Sequence, residues 1–261
     1  MKAIGIIGGS GFYDLIENAE MFIHDNRYGR SSEIFKGTIE GKPVYFLPRH
    51  GPNHHIIVPR INYRANIWAL KELGVERIIS TNSVGSLNPE MAPGDLIVPD
   101  DFCDVTRRFP RSLYDDTPVA FHVDMTPPFC PQIRKLLIEA AHEVKPGHAH
   151  DAGILFVDEG LRMETPFEYK LFRRLGGDLV GMTSLPEAVL AREAAMCYAT
   201  ICVPVNWGLG EPVETGTFQD ILKQSVEDFK QVIRYVVRNM DQDQDCKCLH
   251  ALEGAILAKD Q

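Results

Sequence analysis

The chain has 261 residues, 44% of them hydrophobic and 24% charged, with a formal net charge of −9. That length suits one large α/β domain with a sizeable core better than two small ones, and the negative balance argues against a general nucleic-acid binder. No apolar run nears the roughly 20 residues of a membrane span, and Met1-Lys-Ala-Ile-Gly leads into a strand rather than a signal peptide, so a cytoplasmic location is expected.

Along the chain, residues 2–7 form an apolar strand that runs into Gly8-Gly9-Ser10-Gly11. Residues 44–47 read as a strand ending at Arg49-His50-Gly51. A helix is expected over 63–73 with Gly74 as its stop, then a strand over 77–81 entering Asn82-Ser83-Val84-Gly85. Residues 131–144 make an amphipathic helix with Leu136, Leu137, Ala140, Ala141 and Val144 at helical spacing. A strand over 154–157 leads into the loop carrying Glu164, and a helix over 167–175 closes at Gly176-Gly177. After a strand over 179–182, Ser184-Leu-Pro-Glu187 has the form of a capping box opening a helix to about Ala195. A strand over 198–205 ends at Asn206, and a long helix runs from Thr217 to about Met240. Residues 241–245 are polar and read as frayed, whereas 249–257 could dock as a short helix.

Strands alternating with helices imply a single α/β domain with a central, parallel or mixed sheet covered on both faces. Ligands in such sheets sit where strands end and loops begin. Gly8 to Gly11, Arg49-His50, Asn82-Ser83, Met182-Thr183 and Asn206 all fall at expected strand ends, which argues for one shared site.

Each motif also has a plain structural reading. The N-terminal glycines lack the full dinucleotide-binding spacing; a turn carrying a phosphate-binding Ser10 hydroxyl and a merely structural turn are both consistent with them. Arg49-His50 joins an arginine, which matches phosphate bidentately, to an imidazole able to donate; an isolated pair would be ordinary surface chemistry. Asn82, Ser83 and Thr183 offer hydroxyl, amide and backbone donors to an anion, or serve as turn and cap residues. His54 and His55 lack companions at metal-ligand spacing. The six cysteines (103, 130, 197, 202, 246 and 248) are expected to be reduced and buried, unless the source is a hyperthermophile. Cys246-Lys-Cys248 could be a redox pair or half a metal site, but no second cysteine pair at zinc spacing accompanies it, so no metal is expected.

Glu164 and Asn206 carry the most information about substrate. A hypoxanthine or guanine ring presents an N1–H donor and an O6 acceptor, and its N7 becomes basic as the glycosidic bond breaks. A carboxylate accepts from N1–H, while an amide can accept and donate at once.

As an ordered set, Ile-Ile-Gly-Gly-Ser-Gly, Arg49-His50-Gly51, Asn62 to Leu70, Asn82-Ser-Val-Gly-Ser86, Pro128-Phe-Cys-Pro131, Glu159-Gly-Leu-Arg162, Gly181-Met-Thr183 and Pro186-Glu-Ala188 resemble the trimeric purine nucleoside phosphorylase and methylthioadenosine phosphorylase family. The resemblance implies a nucleoside phosphorylase domain over residues 1–245 and a tail over 246–261. It implies phosphate binding by Ser10, Arg49, His50, Asn82, Ser83 and Thr183. Met163, Glu164, Met182, Asn206 and Gly208 would meet the nucleoside, with His122 reaching the sugar's 5′ end from a neighbouring subunit of a homotrimer or a dimer of trimers. Asn206 and His50 are the implied catalytic groups. The reaction would be reversible phosphorolysis, with inorganic phosphate as co-substrate and no cofactor or metal.

Adenosine-type members resemble a Thr-Asp-x-Asp segment at the base site; this chain has Val205-Asn206-Trp207-Gly208 instead, and Glu164 where they carry a small hydroxyl residue. The pair therefore resembles 6-oxopurine phosphorylases, which act on inosine, guanosine or 5′-methylthioinosine. Leu161 also departs from the family's usual proline. Methylthioadenosine phosphorylase, a non-catalytic nucleoside-binding protein and a dinucleotide-dependent oxidoreductase remain as alternative readings.

Overall fold

The structure, a computed structural model, describes residues 2–9, 11–107, 112–117, 120–208 and 215–258. The N-terminal half supplies β1 (Ile4–Gly8), β2 (Glu17–Phe22), the short β3 (Asp25–Asn26) and β4 (Gly29–Arg30), β5 (Ile34–Ile39), β6 (Lys42–Pro48), α1 (Tyr63–Glu72) and β7 (Arg77–Ser86). After β8 (Leu96–Ile97), β9 (Asp101–Asp104) and β10 (Ala120–Phe121) come α2 (Pro131–Val144), β11 (Ala149–His150), β12 (Ile154–Val157) and α3 (Pro166–Arg174). The chain continues through β13 (Leu179–Gly181), α4 (Ser184–Glu193), β14 (Cys197–Trp207), α5 (Thr215–Asn239) and β15 (Ile256–Ala258).

Among the described residues, one mixed sheet holds 11 strands, with a path running β11-β8-β14-β7-β1-β6-β5-β2 and β13, β12 and β9 branching from β7. Its middle strands are parallel, and β1 is buried at every position. Such strands read as continuous apolar runs because helices cover both faces. One large core joins the two sides, with Ile4, Phe46, Ile78 and Ala199 from strands meeting Leu70, Leu137 and Val236 from helices. No helix of the described residues is long and apolar enough to cross a membrane.

The expected α/β order is present, with informative departures. β2 and β5 form an antiparallel ribbon that the apolar pattern does not announce, because β2 is an exposed edge strand reading Glu-Asn-Ala-Glu-Met-Phe. β7 does not stop at Thr81; parallel pairing with β14 carries it through Asn82 and Gly85 to Ser86. The capping box is not at Ser184. It lies at Thr165 and Glu168, which bond reciprocally with each other's backbone amides, while Glu187 turns into the core towards Arg49.

The tail also departs from expectation. Residues 241–245 are held rather than frayed: Arg77 donates to the carbonyls of Gln242 and Gln244, and Gln132 to that of Asp245. No helix forms over 249–257. A 3₁₀ turn spans Lys247–His250, and β15 then pairs antiparallel with β10. Cys246 and Cys248 belong to the main core, where Cys130 and Cys197 join them.

Candidate active site

The register of the central strands creates an opening. β1 accompanies β7 only up to the pair Ile7–Ser80, and β13 takes over the same edge at Gly85. Among the described residues, Thr81 to Val84 therefore have no strand partner on that side. Gly8 lies opposite Pro48 on β6 and beside Thr81, so Gly9 and Arg49 emerge one position past that level. A cavity of about 690 Å³ fills this gap, within the size range of small-molecule sites.

Arg49, His50, Asn82, Ser83, Met163, Glu164, Met182, Thr183 and Asn206 all line that cavity, although they span more than half the chain. Ser10 lies outside the described residues. Gly208 and His122 are not among the lining residues. Gly208 is buried with its amide on the Ser86 carbonyl, and His122 is exposed beside the tail with its amide on the Ala255 carbonyl. From the sequence, His122, Phe218 and the last long helix are the candidates for closing the sugar's 5′ end; of these Phe218 and α5 line the cavity, with Leu222, Val226 and Phe229 facing it together with Phe12. Phe229 lies within an amphipathic helix, where a cavity-facing apolar residue looks like any core residue.

At one end the lining is rich in groups suited to an anion. Arg49 is 3% exposed, and its Nε and Nη2 donate to Glu187 at 2.6 and 3.1 Å. Its Nη2 also reaches Ser80 Oγ at 2.7 Å and its Nη1 the Thr81 carbonyl at 2.9 Å. Burial opposes the guanidinium's charge, yet the Glu187 carboxylate more than offsets it and holds Arg49 above its ordinary range. The bidentate edge thus faces Glu187, and with one Nη1 hydrogen on the Thr81 carbonyl, the second Nη1 hydrogen is what is left for an anion. Glu187 also accepts from Ser80 and Tyr198 hydroxyls at 3.0 and 2.8 Å, so this carboxylate organises the whole end.

Asn82 faces inward. Its amide nitrogen donates to Thr200 Oγ1 at 2.6 Å, and its oxygen accepts from the Thr183 hydroxyl at 2.8 Å. Thr183 is the N-cap of α4 but makes no side-chain cap there, so the helix's first amides keep their positive end free for an anion. Burial lowers His50 to about 4, and the Arg49 cation adds to the effect. Its Nδ1 lies 2.8 Å from the Ile56 carbonyl, which can only accept, so Nδ1 carries the proton. Nε2 of the neutral ring is then an acceptor, and donation from it requires a second proton.

The other end carries Glu164 and Asn206, 7% and 8% exposed. Asn206 is aimed by a β-bulge: Pro204 lies opposite Val84 but Asn206 opposite Gly85, so Val205 is the extra residue. Gly85 leaves the space a side chain would take, since a Cβ there would lie 3.6 Å from Asn206 Nδ2 and 3.2 Å from Val180. Among the described residues, the Asn206 amide nitrogen makes one bond, a long 3.3 Å contact to Trp207 O. Behind Glu164 lies Asp158, whose carboxyl is raised to about 7 by burial, with the neighbouring Glu164 carboxylate contributing. Tyr169 is raised by burial and by a hydrogen bond with Glu164. Asp158 was not legible as a site residue, since an acidic residue after a strand signals only a turn.

The phosphorylase superfamily profile matches residues 3–238. The chain is 44% identical to a probable S-methyl-5′-thioinosine phosphorylase of Methanothermobacter thermautotrophicus, over 97% of this chain and 89% of the relative. It is 43% identical to a 6-oxopurine nucleoside phosphorylase of Pyrococcus furiosus, over 98% and 99% of the two chains. Among solved structures, a methylthioadenosine phosphorylase from an antarctic soil metagenomic library superposes with a TM-score of 0.92 at 32% identity, covering 98% of this chain and 93% of the other.

Proposed function

The chain belongs to the phosphorylase superfamily, and we propose that it is a purine nucleoside phosphorylase cleaving 6-oxopurine nucleosides with inorganic phosphate. The observation that carries the reading is the placement of Glu164 and Asn206, both buried, on the wall of one cavity with the anion-suited groups around Arg49 and Thr183. Relatives named for 6-oxopurine and for methylthioinosine substrates are alike in identity, so overall similarity does not choose between them.

Phosphate is held by Thr183, Ser83, the first amides of α4 and Arg49 Nη1, with Ser10 as a further ligand. Glu187 keeps the guanidinium in place. As the C1′–N9 bond breaks, its electron pair leaves with the purine and the sugar gains oxocarbenium character. A phosphate oxygen then bonds to C1′, giving the ribose 1-phosphate. Glu164 accepts from N1–H, and the Asn206 amide donates towards N7, where charge appears only as the bond breaks. A donor placed there lowers the barrier rather than merely tightening binding. Nε2 of the neutral His50 ring accepts a hydrogen bond from a phosphate or sugar hydroxyl. Neither a cofactor nor a metal takes part, because phosphate is the nucleophile and the base is the leaving group.

The reading sets the sugar's 5′ end against α5, whose Phe218, Leu222, Val226 and Phe229 line the cavity together with Gln219, Lys223 and Ser225; the four apolar side chains favour a 5′-methylthio substituent over a hydroxyl. Exposed Leu161, Met163, Phe167, Leu171 and Leu175 cluster in and around α3 and support self-association as a trimer.

Initial rates with inosine, guanosine, 5′-methylthioinosine and 5′-methylthioadenosine, each with and without phosphate, test the proposal. Phosphate-dependent turnover confined to the 6-oxo substrates supports it, and a methylthioinosine rate above that of inosine supports the apolar 5′ slot. Preferential cleavage of methylthioadenosine overturns the base-site assignment, and absence of turnover overturns the enzyme reading.

A further inference from the structure

Apart from the cavity, four cysteine side chains from three distant parts of the chain converge. Cys130 is the N-cap of α2, Cys197 is the first residue of β14, and Cys246 and Cys248 lie at the 3₁₀ turn of the tail. All four are buried, and their sulfurs lie within 4.8 Å of one another. Buried thiols often serve as small apolar core residues. That role alone gives no reason for every sulfur to face the same point.

The spacing fits a metal. Zinc–thiolate bonds of about 2.3 Å in a tetrahedron put neighbouring sulfurs about 3.8 Å apart. The Cys130 and Cys246 sulfurs are separated by 3.7 Å, far beyond the roughly 2.05 Å of a disulfide bond. We propose that Cys130, Cys197, Cys246 and Cys248 form a structural tetrathiolate site for a zinc-class divalent cation.

The surroundings prepare the site. Hydrogen bonds from Arg77 to the Gln242 and Gln244 carbonyls, and from Gln132 to that of Asp245, deliver the tail to the cluster. Cys130 lies at the N-terminus of a 14-residue helix, whose positive end favours a thiolate. Binding forms four metal–sulfur bonds and breaks four S–H bonds, whose protons leave to solvent; no oxidation state changes. The four ligands form a closed shell with no open position, which marks a structural rather than a catalytic centre.

The tail has reason to need such a link. Between Asp241 and Glu253 it is largely polar, and its own apolar burial is small. Yet it must hold β15 against β10, the strand directly before His122. A cross-link through Cys246 and Cys248 fixes that pairing, because metal binding energy becomes folding energy for the segment it ties.

The full chain, produced with zinc and purified under reducing conditions, should carry about one tightly held zinc per chain by elemental analysis. Replacement by Co(II) should give the intense visible absorption of tetrahedral tetrathiolate cobalt. Cys246→Ser and Cys248→Ser should each lose that absorption and most of the metal, while Cys103→Ser, outside the cluster, should keep both. An absence of bound metal after reconstitution with zinc overturns the proposal. An intact mass lighter by four hydrogens also overturns it, because the cluster would then be a pair of disulfides.

Discussion

Replacing Glu187 by alanine strands a guanidinium in the interior. The Arg49 and Glu187 side chains are each 3% exposed and meet at 2.6 Å, and the same carboxylate accepts from Ser80 and Tyr198. Removing one partner of a buried ion pair costs about 3–5 kcal/mol, a large share of the roughly 5–15 kcal/mol that holds a domain folded. Tyr198→Phe removes a single hydrogen bond to the charged acceptor and should cost less, about 1.5–3 kcal/mol. Combining Arg49→Met with Glu187→Leu removes both charges and should regain much of the stability lost by Glu187→Ala, since a well-packed apolar pair can replace a buried ion pair. It should not regain phosphate saturation, because Nη1 is gone. Urea denaturation followed by circular dichroism measures the first quantity, and phosphate KM in the phosphorolysis assay measures the second. A Glu187→Ala midpoint equal to the parent's, or normal phosphate KM in the double variant, would refute the reasoning.

Two further perturbations address the base end. Asn206→Asp puts a carboxylate where a 6-oxo group and a basic N7 need a donor, so inosine turnover should fall by tenfold or more, on the order of one lost charge-stabilising hydrogen bond; an unmoved ratio of inosine to adenosine rates removes Asn206 from the site. Burial raises Asp158 in the folded state to about 7, well above the ordinary carboxylate range, so folding favours its protonated form and the parent loses stability as pH rises from the unfolded value through about 7. Asp158→Asn cannot ionise, and its stability relative to the parent should therefore improve between about pH 5 and about pH 8; parallel pH–stability curves for the two proteins would show that Asp158 titrates normally.

Much of the site was legible because its residues close apolar runs. Arg49 ends the strand Lys42–Pro48, Thr183 follows Leu179–Gly181, and the run from Cys197 ends near Asn206. A strand end in an α/β sheet is where ligands bind, so those positions point to function without any contact being known. What was hidden depends on partners distant in sequence. Glu187 has the form of a capping-box residue, and only its approach to Arg49, 138 residues away, shows its role. The bulge at Val205 depends on the register between two strands, which no local pattern in either reveals. The four cysteines do not show a zinc spacing in sequence because three separate elements supply them. In each case local propensity is uninformative and tertiary pairing decides.

The division of labour between Glu164 and Asn206 follows from what each group can do. An amide presents both a donor and an acceptor, so by turning over, Asn206 can meet either a 6-oxo or a 6-amino group. An ionised carboxylate can only accept. Opposite the N1–H of a 6-oxopurine that is an advantage, but opposite the N1 lone pair of a 6-aminopurine it sets two acceptors against each other in a site only 7% exposed. Unpaired groups in a buried pocket can discriminate by about 10⁴–10⁵ where a site is built to hydrogen-bond one partner. On the proposed function, Glu164 would therefore carry most of the selectivity, and Asn206 would contribute mainly to leaving-group stabilisation. Glu164→Gln, whose amide can donate to N1, should raise the ratio of methylthioadenosine to methylthioinosine turnover by at least tenfold. The same change should leave phosphate KM within about twofold of the parent, because it touches only the base end. A ratio that stays at the parent's value would shift the selector to Asn206 and its bulge.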